Sequence, residues 1–158
     1  MGASDRNDIL HTIDALKELY YRLLLLIGIA RGTKMELLQE LSDEIDAPII
    51  NINLELSRRM LELTERQRAL QAQQLMREIL AEVPGEVVIL GRIEILFAPQ
   101  LELDPLKLLQ DLSRNRMIVA AWGGSVKGNH LIYAEPGHAE FWRYPMHDLQ
   151  IIDLHQSR

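Results

Sequence analysis

The sequence predicts an α/β domain built on a mainly parallel five-stranded sheet with helices on both faces. Three observations carry this. Short apolar runs such as Leu23 to Ile27, Val87 to Leu90 and Met117 to Trp122 show no polar alternation, as strands covered on both faces require. Stretches of helical period lie between them. Glycine and proline close the runs at Gly28, Pro84-Gly85 and Gly123-Gly124. Strands alternating with helices imply crossover connections, and the count of these units predicts the strand order 5-1-4-3-2.

Taken along the chain, Ile9, Ile13, Leu16, Leu19 and Tyr20 predict an amphipathic helix over 9–21 with Asp8 as N-cap. The first strand is Leu23 to Ile27. Met35, Leu38, Leu41 and Ile45 place a helix over 34–45, and Pro48 opens a second strand, Ile49 to Asn53. The stretch 55–82 divides into two helices at Thr64, where Gln67 completes a capping box. Val87 to Leu90 is the third strand. Asp104-Pro105 starts a helix, with a cap acceptor followed by proline at the first helical position, and the helix runs to about Asn115. Met117 to Trp122 is the fourth strand. Gly128-Asn129 predicts a hairpin between Ser125–Lys127 and His130–Tyr133, and Leu149 to Leu154 is the last strand.

The totals bound the function. The chain's 158 residues suffice for one domain, with an N-terminal helix before a core over about 23–154 and no length left for a helical lid. With 47% hydrophobic and 25% charged residues it is globular. There is no cysteine, which excludes disulfides, thiolate metal sites and thiol nucleophiles. The five histidines (His11, His130, His138, His147 and His155) are scattered without ligand spacing, so no metal site is expected. No leader-like or membrane-spanning apolar stretch is present, which places the protein in the cytoplasm. The net charge of −6 disfavours broad nucleic-acid binding.

In parallel sheets, ligands sit at the carboxyl ends of strands. After the first strand the chain reads Gly28-Ile29-Ala30-Arg31-Gly32-Thr33-Lys34-Met35. A phosphate-binding loop has glycine, four residues, then Gly-Lys-Ser/Thr. Its amides wrap the phosphates, its lysine neutralises charge and its hydroxyl holds Mg²⁺. The first glycine and the lysine are in place, but Thr33 stands for the second glycine and Met35 for the hydroxyl. The candidate phosphate-binding residues are Gly28, Arg31, Gly32, Thr33 and Lys34. The alternative is a plain strand-to-helix turn in which Thr33 and Glu36 form a capping box. After the third strand, Gly91 and Arg92 occupy the positions where acids would hold metal and orient water. Glu94 is the nearest carboxylate, either catalytic or a surface acid. Arg114 and Arg116, before the fourth strand, read as arginine fingers or partner-facing groups, or as cations suited to a helix C-terminus. Trp122 and Trp142 read as packing or interface residues.

Several longer strings are distinctive. They are Asn51-Ile52-Asn53-Leu54-Glu55-Leu56-Ser57-Arg58-Arg59, Arg66-Gln67-Arg68-Ala69-Leu70, Ile93-Glu94-Ile95-Leu96-Phe97, Asp104-Pro105-Leu106, Leu112-Ser113-Arg114-Asn115-Arg116 and Tyr133-Ala134-Glu135-Pro136-Gly137-His138. Over about residues 10–154 the chain resembles the BrxF family of small P-loop proteins from BREX phage-defence islands. The resemblance implies a three-layer, AAA+-like P-loop NTPase core acting with other BREX proteins, as a homo-oligomer whose nucleotide site takes an arginine from its neighbour. It also implies ATP or ADP as ligand. The chain departs from the family pattern at Thr33, Met35 and Gly91, and Trp122 stands where AAA+ ATPases carry a polar sensor residue. Mg²⁺ binding and hydrolysis are therefore not carried over. Three functions compete: a non-hydrolysing scaffold or regulator, an ATPase using Lys34, Thr33 and Glu94, and a DNA- or RNA-binding module using Arg58, Arg59, Arg66, Arg68, Arg114 and Arg116.

Overall fold

The computed structural model describes residues 3–29 and 33–154. Its main sheet uses β1 (Leu23–Ile27), β2 (Ile49–Asn51), β3 (Val87–Arg92), β4 (Met117–Ala121) and β8 (Gln150–Asp153). The order is β2-β3-β4-β1-β8 and every pairing is parallel. Counting the five sequence-predicted strands, this is the expected 5-1-4-3-2. All five residues of β1 and of β4 are buried, which is why neither run alternates.

Successive side chains of a strand point to opposite faces, and the core divides accordingly. Leu24, Leu26, Ile89 and Val119 join α1 (Ala3–Leu16) and α2 (Lys34–Ile45) on one face. Leu25, Ile27, Val88, Leu90, Ile118 and Ala120 join α3 (Ile52–Met60), α4 (Glu65–Ala81) and α5 (Pro105–Ser113) on the other. Each fully buried leucine or isoleucine contributes about 2 kcal/mol of transfer free energy. Among the described residues every helix packs on this sheet, and none forms a separate lid.

Between β4 and β8 the chain forms a second sheet instead of a crossover helix. Strands β5 (Ser125–Lys127), β6 (His130–Tyr133) and β7 (Trp142–Pro145) pair antiparallel in that order. The predicted Gly128-Asn129 hairpin is present, with Gly128 at φ 60. Strand β7 was not expected, because Trp142-Arg143-Tyr144-Pro145 is short and ends in proline. The small sheet covers the α5 side of the main sheet through Leu131 and its aromatics. Trp122 lies in this packing, 3% exposed, and Trp142 stacks on Tyr144.

Several boundaries move. The first helix spans Ala3–Leu16, not 9–21, so Asp8 lies inside it and is not the cap. Leu19 and Tyr20 lie beyond its end and are 42% and 64% exposed. The second strand stops at Asn51, whose side chain accepts from the Leu54 amide at 3.0 Å and so starts α3 at Ile52. The third strand extends to Arg92, the fourth stops at Ala121, the last spans Gln150–Asp153, and α5 ends at Ser113. The Thr64–Gln67 capping box and the Asp104 cap form as expected. The Thr33–Glu36 box does not, since Thr33 makes no side-chain cap bond.

Candidate functional site

The carboxyl ends of β1 and β3 bring together Gly28, Lys34 and Glu94. Gly28 follows β1 at φ 74, in the left-handed region that suits glycine, and turns the chain toward α2. Arg31 and Gly32 lie outside the described residues. Lys34 is the first residue of α2, its side chain 17% exposed, with Nζ 3.8 Å from Glu94 Oε1. Burial is the main cause holding the Lys34 amine below its ordinary value. Glu94 acts against that shift and Arg92 with it.

Asn53, in the first turn of α3, holds the carboxylate from its other side. Its Nδ2 donates to Glu94 Oε2 at 3.3 Å, and its Oδ1 accepts from the Ile95 amide at 2.8 Å. Sequence reasoning missed this residue. The only signal was a polar side chain recurring as Asn51-Ile52-Asn53. Tyr133 completes the surroundings. Its phenol is pushed up to about 12, first by burial and then by Glu94 and Glu140. Its ring stacks on Phe97 at 3.5 Å, and Phe97 meets Trp122 edge-on at 5.1 Å.

The two positions considered for metal-holding groups carry no side-chain oxygen. Met35 is 49% exposed and offers only a thioether. A β-carbon at Gly91 would lie 3.3 Å from Ile49 Cγ2 and 3.5 Å from Leu38 Cδ1. An acid there would enter apolar packing between β2 and α2, where a carboxylate is poorly solvated.

Arg114 and Arg116 lie at the opposite end of the sheet, before β4, as expected. The Arg114 guanidinium sits 4.4 Å over the Tyr20 ring, and its carbonyl accepts from Arg22 at 2.6 Å. Arg116 donates to the Val83 carbonyl. The other arginines considered for nucleic-acid binding are partly engaged. Arg58 and Arg59 pair with Glu55, Arg59 also pairs with Glu82 at 2.6 Å, and Arg68 donates to the Leu63 carbonyl. Comparison of the chain with protein-family models, with curated proteins and with solved structures finds no match in any of the three.

Proposed function

We propose that the chain is a P-loop-type, AAA+-like domain that binds phosphate groups at the β1–α2 turn without appreciable metal-assisted hydrolysis. It serves as a scaffold or regulatory subunit of a BREX phage-defence system in the cytoplasm. The defence assignment rests on the sequence strings alone, and with it the expectation of other BREX proteins and further copies of the chain as partners. No helix among the described residues is long and apolar enough to cross a membrane.

One observation carries the biochemical reading. The turn keeps a left-handed glycine and a half-buried lysine at the start of a helix, while the acid position across from it is Gly91 packed against Ile49 and Leu38. ATP or ADP fits the first half of this arrangement, since Lys34 and the N-terminal end of α2 both favour an anion. Mg²⁺ does not fit the second half, because neither Met35 nor Gly91 supplies oxygen. Without a metal, charge on a transferring phosphoryl group loses its main stabilisation.

A second reading, an ATPase, is favoured by the position of Glu94 at the end of β3 within 3.8 Å of Lys34. Calorimetric titration with ATP and a non-hydrolysable analogue, with and without Mg²⁺, separates the two. The expected result is binding that does not depend on Mg²⁺, is lost in Lys34→Ala and is accompanied by no phosphate release. Mg²⁺-dependent turnover abolished by Lys34→Ala would establish the ATPase instead.

A further inference from the structure

The amino ends of the parallel strands form one end face of the domain, with two exposed aspartates on one side and three arginines on the other, among which Glu86 and Asp111 also lie. On one side lies the C-terminal end of α2, with Asp43 and Asp46 exposed and no basic residue in the last turn. Anions there oppose the helix dipole. Asp46 also adopts φ 52, the left-handed conformation that suits glycine. On the other side are Arg22, Arg114 and Arg116. Neutral groups hold all three: the Arg114 carbonyl, the Tyr20 ring and the Val83 carbonyl. Among the described residues none of the three forms an ion pair, although Glu86 borders the same hollow as Arg22 and Arg116.

The two halves adjoin. Gly85 lines both the hollow bounded by Asp43, Asp46, Ala47, Pro48 and Pro84 and the hollow bounded by Lys17, Arg22 and Arg116. An anionic half, a small apolar middle and a cationic half thus share one face. A two-fold axis through the middle sets the anionic half of each copy on the cationic half of the other, forming the same contact twice. It also puts guanidinium groups of one copy at the α2 carbonyl end of the other, where cations are favoured. We propose that this end face is a self-complementary dimer interface and that its occupant is a second copy of this chain. The proposal takes from the functional reading only the idea that the chain associates with itself. The nucleotide titration concerns the opposite end of the sheet, so the two proposals fail separately.

Charge reversal tests it on the full chain by sedimentation velocity, with circular dichroism melts confirming that each variant folds. The wild type is expected to dimerise at about 100 µM or below and to weaken about tenfold between low and high salt. Arg22→Glu alone and Asp46→Lys alone are each expected to be monomeric, because each self-pairing sets like charges together at both contacts. Mixing the two variants restores both contacts in a heterodimer, which is expected to form with near wild-type affinity. That recovery also shows that neither variant failed through misfolding. A wild type that stays monomeric at low salt, a dimer indifferent to both reversals, or a mixture that does not re-associate would each overturn the proposal. Binding of a single-stranded oligonucleotide by a monomeric wild type, lost in Arg22→Glu and kept in Asp46→Lys, would overturn it in favour of a phosphate-binding surface.

Discussion

The two ends of the main sheet treat their cations differently. At the carboxyl ends, Lys34 is half-buried and already has an anion, Glu94, itself held by Asn53. Tyr133 of the second sheet stacks on Phe97 nearby, and Phe97 meets Trp122 edge-on. At the amino ends, Arg22, Arg114 and Arg116 are held by carbonyls and a tyrosine ring, and Tyr20 is 64% exposed. A guanidinium oriented by a neutral acceptor keeps its full charge for another partner, whereas an ammonium beside its own carboxylate must exchange one anion for another. The contrast shows that the motif position is the internally compensated one. The end that no motif marks carries the uncompensated charge.

The largest expected effect breaks the carboxyl end. A β-carbon at Gly124 would collide with the Ile132 carbonyl oxygen and lie 2.8 Å from Trp122 Nε1. The same indole donates to the Ile132 carbonyl at 3.2 Å. Gly124→Ala is therefore expected to cost about 3 kcal/mol, seen as a lower melting temperature and a weaker near-ultraviolet aromatic signal. Unchanged values would mean that the second sheet is not clamped on Trp122.

Alkaline pH probes the same end less severely. Tyr133 is pushed up to about 12 from 10.0, mainly by burial. Tyr144 is also pushed up, by burial first and by its hydroxyl's 2.8 Å hydrogen bond to Asp104. A folded value above the unfolded one means that the native state holds the proton more tightly. The stabilisation is complete below pH 10.0 and is lost as pH rises toward about 12. Melting temperature is expected to fall across that window and to fall less in Tyr133→Phe. Identical profiles for the two proteins would remove Tyr133 from the account.

The smallest effect sharpens the open end. Asp46→Gly relieves a left-handed φ of 52 and removes an anion from a helix C-terminus. It is expected to raise stability by about 1 kcal/mol while weakening self-association. A gain in stability with association unchanged would separate Asp46 from the interface.

Much of the fold was legible because burial on both faces leaves a local signature. The unbroken runs at Leu23–Ile27 and Met117–Ala121 mark central parallel strands, and the Thr64 and Asp104 caps mark helix starts. The first helix was misplaced because Leu19 and Tyr20 continue its apolar period yet lie exposed past its end. Strand β7 was missed because its alternation of Trp142 and Tyr144 with Arg143 and Pro145 is only four residues long and ends in proline.

By itself the sequence determined the α/β class and placed Lys34 at the start of the helix that follows the first strand. Each follows from local periodicity and from the few ways that parallel strands can connect. It also determined that neither Met35 nor Gly91 offers a side-chain oxygen, because that depends on residue type alone. Only the tertiary structure decided that Glu94 pairs with Lys34 and that Asn53 holds it, since these groups come from three separate segments. It likewise decided that Asp43 and Asp46 share an end face with Arg22 and Arg116. Charge pairing depends on distance through space, and the residues that meet here are far apart along the chain.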